Sequence, residues 1–189
     1  GLLKISGDNI TIRGVNFIST AEMALEITGN SSGLHLENCT FTAPSGHTDS
    51  KWFYGNQGRY SGDLTITNCK VSGFTSWMLA DFSTTSAAAT SALGNVRISK
   101  NYFSANKGSM AARGHISDPM KLYSFTDNKI EVSEFHAYHW DVHEASGGVL
   151  KAVCTGNTYT GPVGADTDAT SKKGFFQCWS KSSRPWYIV

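Results

Sequence analysis

Ile10–Phe17 reads ITIRGVNF, and the same eight-residue figure returns as LHLENCTF (34–41), LTITNCKV (64–71), VRISKNYF (96–103), YSFTDNKI (123–130) and AVCTGNTY (152–159). In each copy mostly apolar residues alternate with polar ones. A small or polar residue stands at the fifth position, and the figure closes at the eighth on an aromatic or branched side chain. That pattern is strand, bend, strand. The third positions (Ile12, Leu36, Ile66, Ile98, Phe125, Cys154) are 24, 30, 32, 27 and 29 residues apart, a drifting period that suits stacked units with variable loops. A unit of this size cannot bury its apolar face alone, so stacking on its neighbours is what makes it stable.

No stretch supplies a convincing 3.6-residue apolar period over ten or more positions, whereas period-two alternation rich in Ile, Val, Thr, Phe and Tyr argues strands. A repeat of about 28 residues holds three short strands, with like strands of successive repeats pairing about 4.8 Å apart. The expected fold is therefore all-β, a right-handed single-stranded parallel β-helix of about six to seven coils. Stacking in register makes an aliphatic ladder of the third positions and a mostly aromatic ladder of the eighth (Phe17, Phe41, Val71, Phe103, Ile130, Tyr159). The sixth positions (Val15, Cys39, Cys69, Asn101, Asn128, Asn157) become a turn ladder. There, stacked asparagines can bond one another and the turn backbone. Third strands are expected at ALEI from Ala24, KWFYG from Lys51, WMLADF from Trp77, MAARGHI from Met110, HAYHWDVH from His136 and GFFQCW from Gly174.

The 189 residues, 40% hydrophobic and 12% aromatic, suffice for one continuous core, and residues 1–189 read as a single elongated domain. The chain opens and closes in strand-like sequence, so it is expected to be an excerpt of a longer protein. Sixteen basic against fifteen acidic residues leave a net charge of +1, with no electrostatic footprint for nucleic acid or an anionic membrane. No apolar run approaches a membrane span, and the N-terminus lacks the regions of a signal peptide. Cys39 and Cys69 share a repeat position in neighbouring units. Stacking brings them within reach of a disulfide, while buried free cysteine is the common alternative. Cys154 and Cys178 read as core.

Through the recurring figure ITIRGVNF, LHLENCTF, LTITNCKV, nearly the whole chain resembles the right-handed parallel β-helix proteins of the pectate-lyase-like superfamily. Within that superfamily it is most similar to the β-helical midsections of bacteriophage tailspikes and capsule depolymerases. The resemblance implies an extracellular, virion-tail protein, commonly a homotrimer, that binds and often cleaves a bacterial surface polysaccharide such as capsule or O-antigen. It carries over no catalytic motif residue by residue. The clustered aspartates by which plant-wall pectate lyases hold calcium have no counterpart here.

Chemistry is expected on the outward positions of the third strands, where neighbouring coils assemble residues distant in sequence. Alternation puts Trp77 and Asp81 outward on one coil, Arg113 and His115 on the next, and His139, Asp141 and His143 on the next. Gln177 and Trp179 follow, with Glu26 and Tyr54 on earlier coils. Glycoside hydrolysis needs two carboxylates. Asp81 and Asp141, two coils or about 9.6 Å apart, fall near the spacing of inverting enzymes, with Arg113 between them to hold an anionic sugar. The plain structural alternative is an exposed ion pair of Asp81 and Arg113.

A lyase reading uses His139 or His115 as base, Arg113 to neutralise a uronate and Tyr138 or Tyr54 as acid. His139, Asp141 and His143 have the alternation of one-face metal ligands. Their spacing of nearly 7 Å along a strand argues against chelation, so no metal or cofactor is expected. Trp52, Trp77 and Trp179 are candidate platforms for pyranose rings, or else packing residues under loops or a neighbouring subunit. The functional expectation is a polysaccharide-degrading tailspike, a hydrolase before a lyase. Its alternatives are a noncatalytic β-helical shaft or adhesin and a secreted microbial lyase.

Overall fold

The computed structural model describes residues 2–20, 23–43, 46, 51–54, 60–74, 76–81, 92–105, 109–114, 120–132, 137–142, 150–161, 177–180 and 187–188. Among these every regular element is a strand: β1 (Leu3–Asp8), β2 (Thr11–Arg13), β3 (Asn16–Ile18), β4 (Met23–Glu37), β5 (Thr40–Thr42), β6 (Lys51–Tyr54), β7 (Tyr60–Thr67), β8 (Lys70–Phe74), β9 (Ser76–Asp81), β10 (Ala92–Ser99), β11 (Tyr102–Ala105), β12 (Ser109–Gly114), β13 (Leu122–Thr126), β14 (Lys129–Val132), β15 (Ala137–Val142), β16 (Lys151–Thr155), β17 (Thr158–Thr160), β18 (Gln177–Ser180) and β19 (Tyr187–Ile188). Each described pairing is parallel. The architecture is all-β and consistent with a parallel β-solenoid.

Register follows the eight-residue figure. Ile12, Leu36, Ile66, Ile98, Phe125 and Cys154 pair in sequence across β2, β4, β7, β10, β13 and β16. Phe17, Phe41, Val71, Phe103, Ile130 and Tyr159 do the same across β3, β5, β8, β11, β14 and β17. Both ladders belong to one apolar core, buried in the middle repeats and partly open at Ile12, Phe17, Cys154 and Tyr159. Parallel strands can bury a residue only against its own kind above and below, so the alternation in the sequence fixes which residues meet. The described residues of all six expected third strands are strand.

The bend between the two strands of each figure is built alike in all six copies. The fifth residue lies in the left-handed region: Gly14, Asn38, Asn68, Lys100, Asp127 and Gly156 have φ between 52° and 67°. Glycine, asparagine and aspartate tolerate this conformation, which explains their use here. At Gly156 there is a second reason, because an added Cβ would collide with Asp127 Oδ1. Lys100 alone adopts the conformation without a side chain suited to it. Each bend still hands its backbone hydrogen bonds to the neighbouring repeat. The fifth N–H donates to the next repeat's fourth carbonyl, as in Asn68 to Ser99 (3.0 Å) and Asp127 to Thr155 (3.0 Å).

The sixth residue lies inside the bend, where asparagine does two jobs. Asn101 and Asn128 are buried. The Nδ2 groups of Asn101, Asn128 and Asn157 donate to the carbonyls of Ile66 (3.0 Å), Ile98 (3.0 Å) and Phe125 (2.8 Å), each the third position of the preceding repeat. Their Oδ1 atoms accept from the backbone N–H of Cys69 (2.8 Å), Asn101 (3.0 Å) and Asn128 (2.9 Å). Side-chain amides also bond directly, Asn101 to Asn128 at 2.9 Å and Asn128 to Asn157 at 3.1 Å. The stacking expected of these asparagines is thus observed, and it leaves no buried amide in the row unsatisfied.

Cysteine fills the same place in two earlier repeats. Cys39 and Cys69 are buried free thiols, not a disulfide. Cys39 Sγ donates to the Ile12 carbonyl at 3.5 Å, the acceptor that the asparagine rule designates, and Cys69 Sγ to that of Thr67 at 3.3 Å. Desolvation pushes the Cys69 thiol up to about 12 and the Cys154 thiol up to about 11, from an ordinary 9.0. Burial likewise raises the Tyr60 phenol above its usual range.

Two outcomes follow from the bend. Asn128→Ala strands the Asn101 N–H and the Ile98 carbonyl inside the core, and should lower urea-unfolding stability by about 2–3 kcal/mol. Alkaline stability carries the second. The unfolded thiols release protons from about pH 9, whereas the folded ones hold theirs. Their contribution is therefore complete below pH 9 and is lost as pH rises through 11 to 12. Unfolding midpoints should fall across that window, and Cys69→Ser/Cys154→Ser should fall less steeply.

Candidate functional site

The third strands carry the expected chemistry, and register divides it into two columns. In the first, Lys4 pairs with Glu26, Glu26 with Tyr54, and Tyr54 with Asp81, across β1, β4, β6 and β9. In the second, Arg113 pairs with Asp141 and Asp141 with Trp179, across the three-stranded sheet β12–β15–β18. Parallel register brings the residues of each column to within about 4.8 Å per strand at backbone level, although they lie 22 to 38 positions apart in sequence. The described ladders join Asp81 to Tyr54 on one side of β9. On its other side β9 packs against β12, the strand that carries Arg113, so the two columns lie along one stack of third strands.

The remaining candidates distribute along the same strands. Gln177 pairs with Tyr138, and Tyr138 with Met110, one position set away from the Arg113 column. His139 stands in β15 between Tyr138 and Trp140, and Trp77 stands in β9. His115 and His143 lie outside the described residues, as does any ligand set that needs His143.

Trp52 corrects the sequence expectation. Its side chain is fully buried, not a sugar platform. The indole packs against Phe41 (5.6 Å between centroids), Phe103 (5.8 Å) and Phe53 (6.0 Å), joining the eighth-position ladder to β6. Simple alternation misplaces it because both faces of β6 are covered here: Trp52 and its successor Phe53 are both fully buried, as are Ala24 and Leu25 in the adjoining β4. The indole Nε1 is buried without a hydrogen-bond partner.

Glu26 is the feature that residue patterns understate. ALEI reads as an outward glutamate between two core residues, and Leu25 and Ile27 are indeed fully buried. Yet Glu26 itself is only 6% exposed. Lys4, its register partner, is exposed, and the described ion pairs do not include Glu26.

Elsewhere the described surface is locally neutralised. Arg13 pairs with Glu37 at 2.7 Å. Asp63 accepts from the Asn95 backbone N–H at 2.8 Å and lies 3.5 Å from Arg97. The Asn95 bond is the main cause holding the Asp63 carboxyl below its usual range. On β8, β11 and β14, the ammoniums of Lys70 and Lys129 lie 5.7 and 5.4 Å from the centre of the Tyr102 ring. Glu131 receives the Tyr102 hydroxyl and pairs with Lys129 at 2.8 Å. These are exposed, mutually satisfied networks, and solvent screening leaves each a small contributor to stability. Among the described residues no group of three His, Cys, Asp or Glu side chains is arranged to hold a metal ion.

The comparisons add no identity: no family model, no curated protein and no solved structure matches this chain.

Burial of Trp52 has a measurable consequence. Trp52→Phe removes both some core volume and an unsatisfied N–H, so urea-unfolding stability should stay within about 1 kcal/mol of wild type. Trp52→Ala should lose about 3–5 kcal/mol.

Proposed function

We propose that the chain is a right-handed parallel β-helix of six to seven coils that binds a bacterial surface polysaccharide and hydrolyses it, as part of a trimeric phage tailspike. The observation that carries this reading is the register of Arg113, Asp141 and Trp179 on three neighbouring strands. A guanidinium, a carboxylate and an indole at one position of one sheet suit a sugar chain running across the strands. The indole offers an apolar platform, while the two charged groups bond hydroxyls and a sugar carboxylate. Asp81 supplies one of the two carboxylates that hydrolysis requires, with Asp141 and His139 on the same set of strands. Fold analogy alone does not assign chemistry, so the reading rests on these columns.

The noncatalytic shaft is the second reading, favoured by the burial of Trp52, which removes one of three candidate sugar platforms. In that case the third-strand face packs against neighbouring subunits. Digestion of a panel of capsular and O-antigen polysaccharides separates the two. The tailspike reading expects new reducing ends without the ultraviolet absorbance of unsaturated uronate, and at least a 1,000-fold loss (order of magnitude) in Asp81→Asn. Arg113→Ala should weaken binding of an acidic glycan about 10-fold or more, with less effect on a neutral one. Release accompanied by unsaturated-uronate absorbance would replace hydrolysis by elimination. A folded chain that cleaves none of the panel would leave the shaft.

A further inference from the structure

The row of sixth residues changes character toward its N-terminal end. From Asn101 onward each step is tied side chain to side chain, Asn101 to Asn128 and Asn128 to Asn157. The step from position 39 to position 69 has thiols instead. Register sets these two cysteines opposite one another, because Glu37 pairs with Thr67 before them and Thr40 with Lys70 after them. The Lys70 N–H donates to the Cys39 carbonyl at 2.8 Å. Stacked residues of neighbouring parallel strands lie about 4.8 Å apart, inside the roughly 4.4–6.8 Å between Cα atoms that a disulfide spans.

The side chains add a second, independent observation. Both thiols are buried inside the bend, at 1% and 2% exposure. Cys39 presents its backbone N–H and its thiol to the Cys69 sulfur. Each sulfur also donates to the carbonyl two residues before it, Cys39 to Glu37 at 3.2 Å and Cys69 to Thr67 at 3.3 Å, so the two side chains are oriented alike. No other cysteine competes for either partner by position. Cys154 stands on the third-position ladder beside β13 and β19, and Cys178 stands in the separate three-stranded sheet.

We infer that Cys39 and Cys69 are a cross-linking site, the reduced form of a disulfide that ties the second eight-residue figure to the third. The bond supplies covalently the side-chain link that asparagine supplies at later steps. It lies at the corner, apart from the third-strand columns on which the glycan reading rests. The extracellular setting of that reading is one in which such bonds persist. In the oxidation, one cysteine loses its proton and its sulfur attacks a small disulfide such as glutathione disulfide, releasing one glutathione thiolate and leaving a mixed disulfide. The second cysteine, deprotonated in turn, displaces the other glutathione as the bond between Cys39 and Cys69 closes. Two electrons and two protons pass from the cysteines to the glutathione disulfide, which departs as two thiols. Burial withholds both cysteines from this exchange in the closed corner, and desolvation keeps the Cys69 proton in place. The bond therefore forms as the corner closes during folding. It spans 30 positions of chain and removes conformations from the unfolded state.

The whole chain tests this without substitution. Protein unfolded in urea and refolded at about pH 8 in mixed reduced and oxidised glutathione should lose two of its four thiols. A non-reducing tryptic digest should then show the peptide ending at Lys51 joined to the one ending at Lys70. Compared with the same protein held in dithiothreitol, the thermal midpoint should rise by about 5–10 °C. Cys39→Ser and Cys69→Ser should each abolish that redox-dependent rise, whatever they cost in stability themselves, whereas Cys154→Ser should keep it.

Four free thiols after refolding in the glutathione mixture overturn the inference, as does a linked pair that includes Cys154 or Cys178. A bond between Cys39 and Cys69 that lowers the midpoint overturns it too, because that bond belongs to a misfolded corner. Each of these results leaves the glycan reading standing.

Discussion

Every repeat must turn a corner, and the hydrogen bonds at that corner are what the remaining structure depends on. A parallel sheet satisfies its N–H and C=O groups along the strands, but a bend between two strands interrupts the supply. Here the fifth residue turns the chain in the left-handed region, and the sixth sends a side chain back to the third-position carbonyl of the repeat before it. Because the same amide also accepts the N–H of the preceding sixth residue, each corner completes its neighbour. Register is thereby pinned, and the apolar ladders on either side have no freedom to slip.

The substitutions within that row show which property is being used. Cysteine at position 39 reaches the same carbonyl that asparagine reaches elsewhere, as a weaker donor. It cannot supply the accepting oxygen, so the Asn101–Asn128–Asn157 end of the row carries the connected part of the network. Lys100 keeps the backbone geometry of its bend with a side chain that gains nothing from it. The bend is therefore specified by its context as much as by its own residue.

A corner that holds register also determines what the third strands can bring together. Strand spacing is fixed at one hydrogen-bonded step, so functional groups can be combined only in multiples of that step. Arg113, Asp141 and Trp179 are neighbours for this reason, as are Glu26, Tyr54 and Asp81. The loops between these strands vary in length without disturbing the columns, which leaves them available for shaping a ligand surface.

Much of this was legible in the sequence. The period-two figure and its polar fifth and sixth positions gave the strands, the bends and both ladders residue by residue, because alternation and left-handed tolerance are local properties written in side-chain type. The third strands were legible as strands for the same reason. What the sequence left open was how those strands align with one another, since a run such as KWFYG or WMLADF contains no residue that pins register as the asparagines do. Only the tertiary structure turned Trp52 from a candidate sugar platform into core. It also buried Glu26, which alternation reads as outward. Those outcomes depend on burial by residues distant in the chain, which is not a property of the residues read one after another.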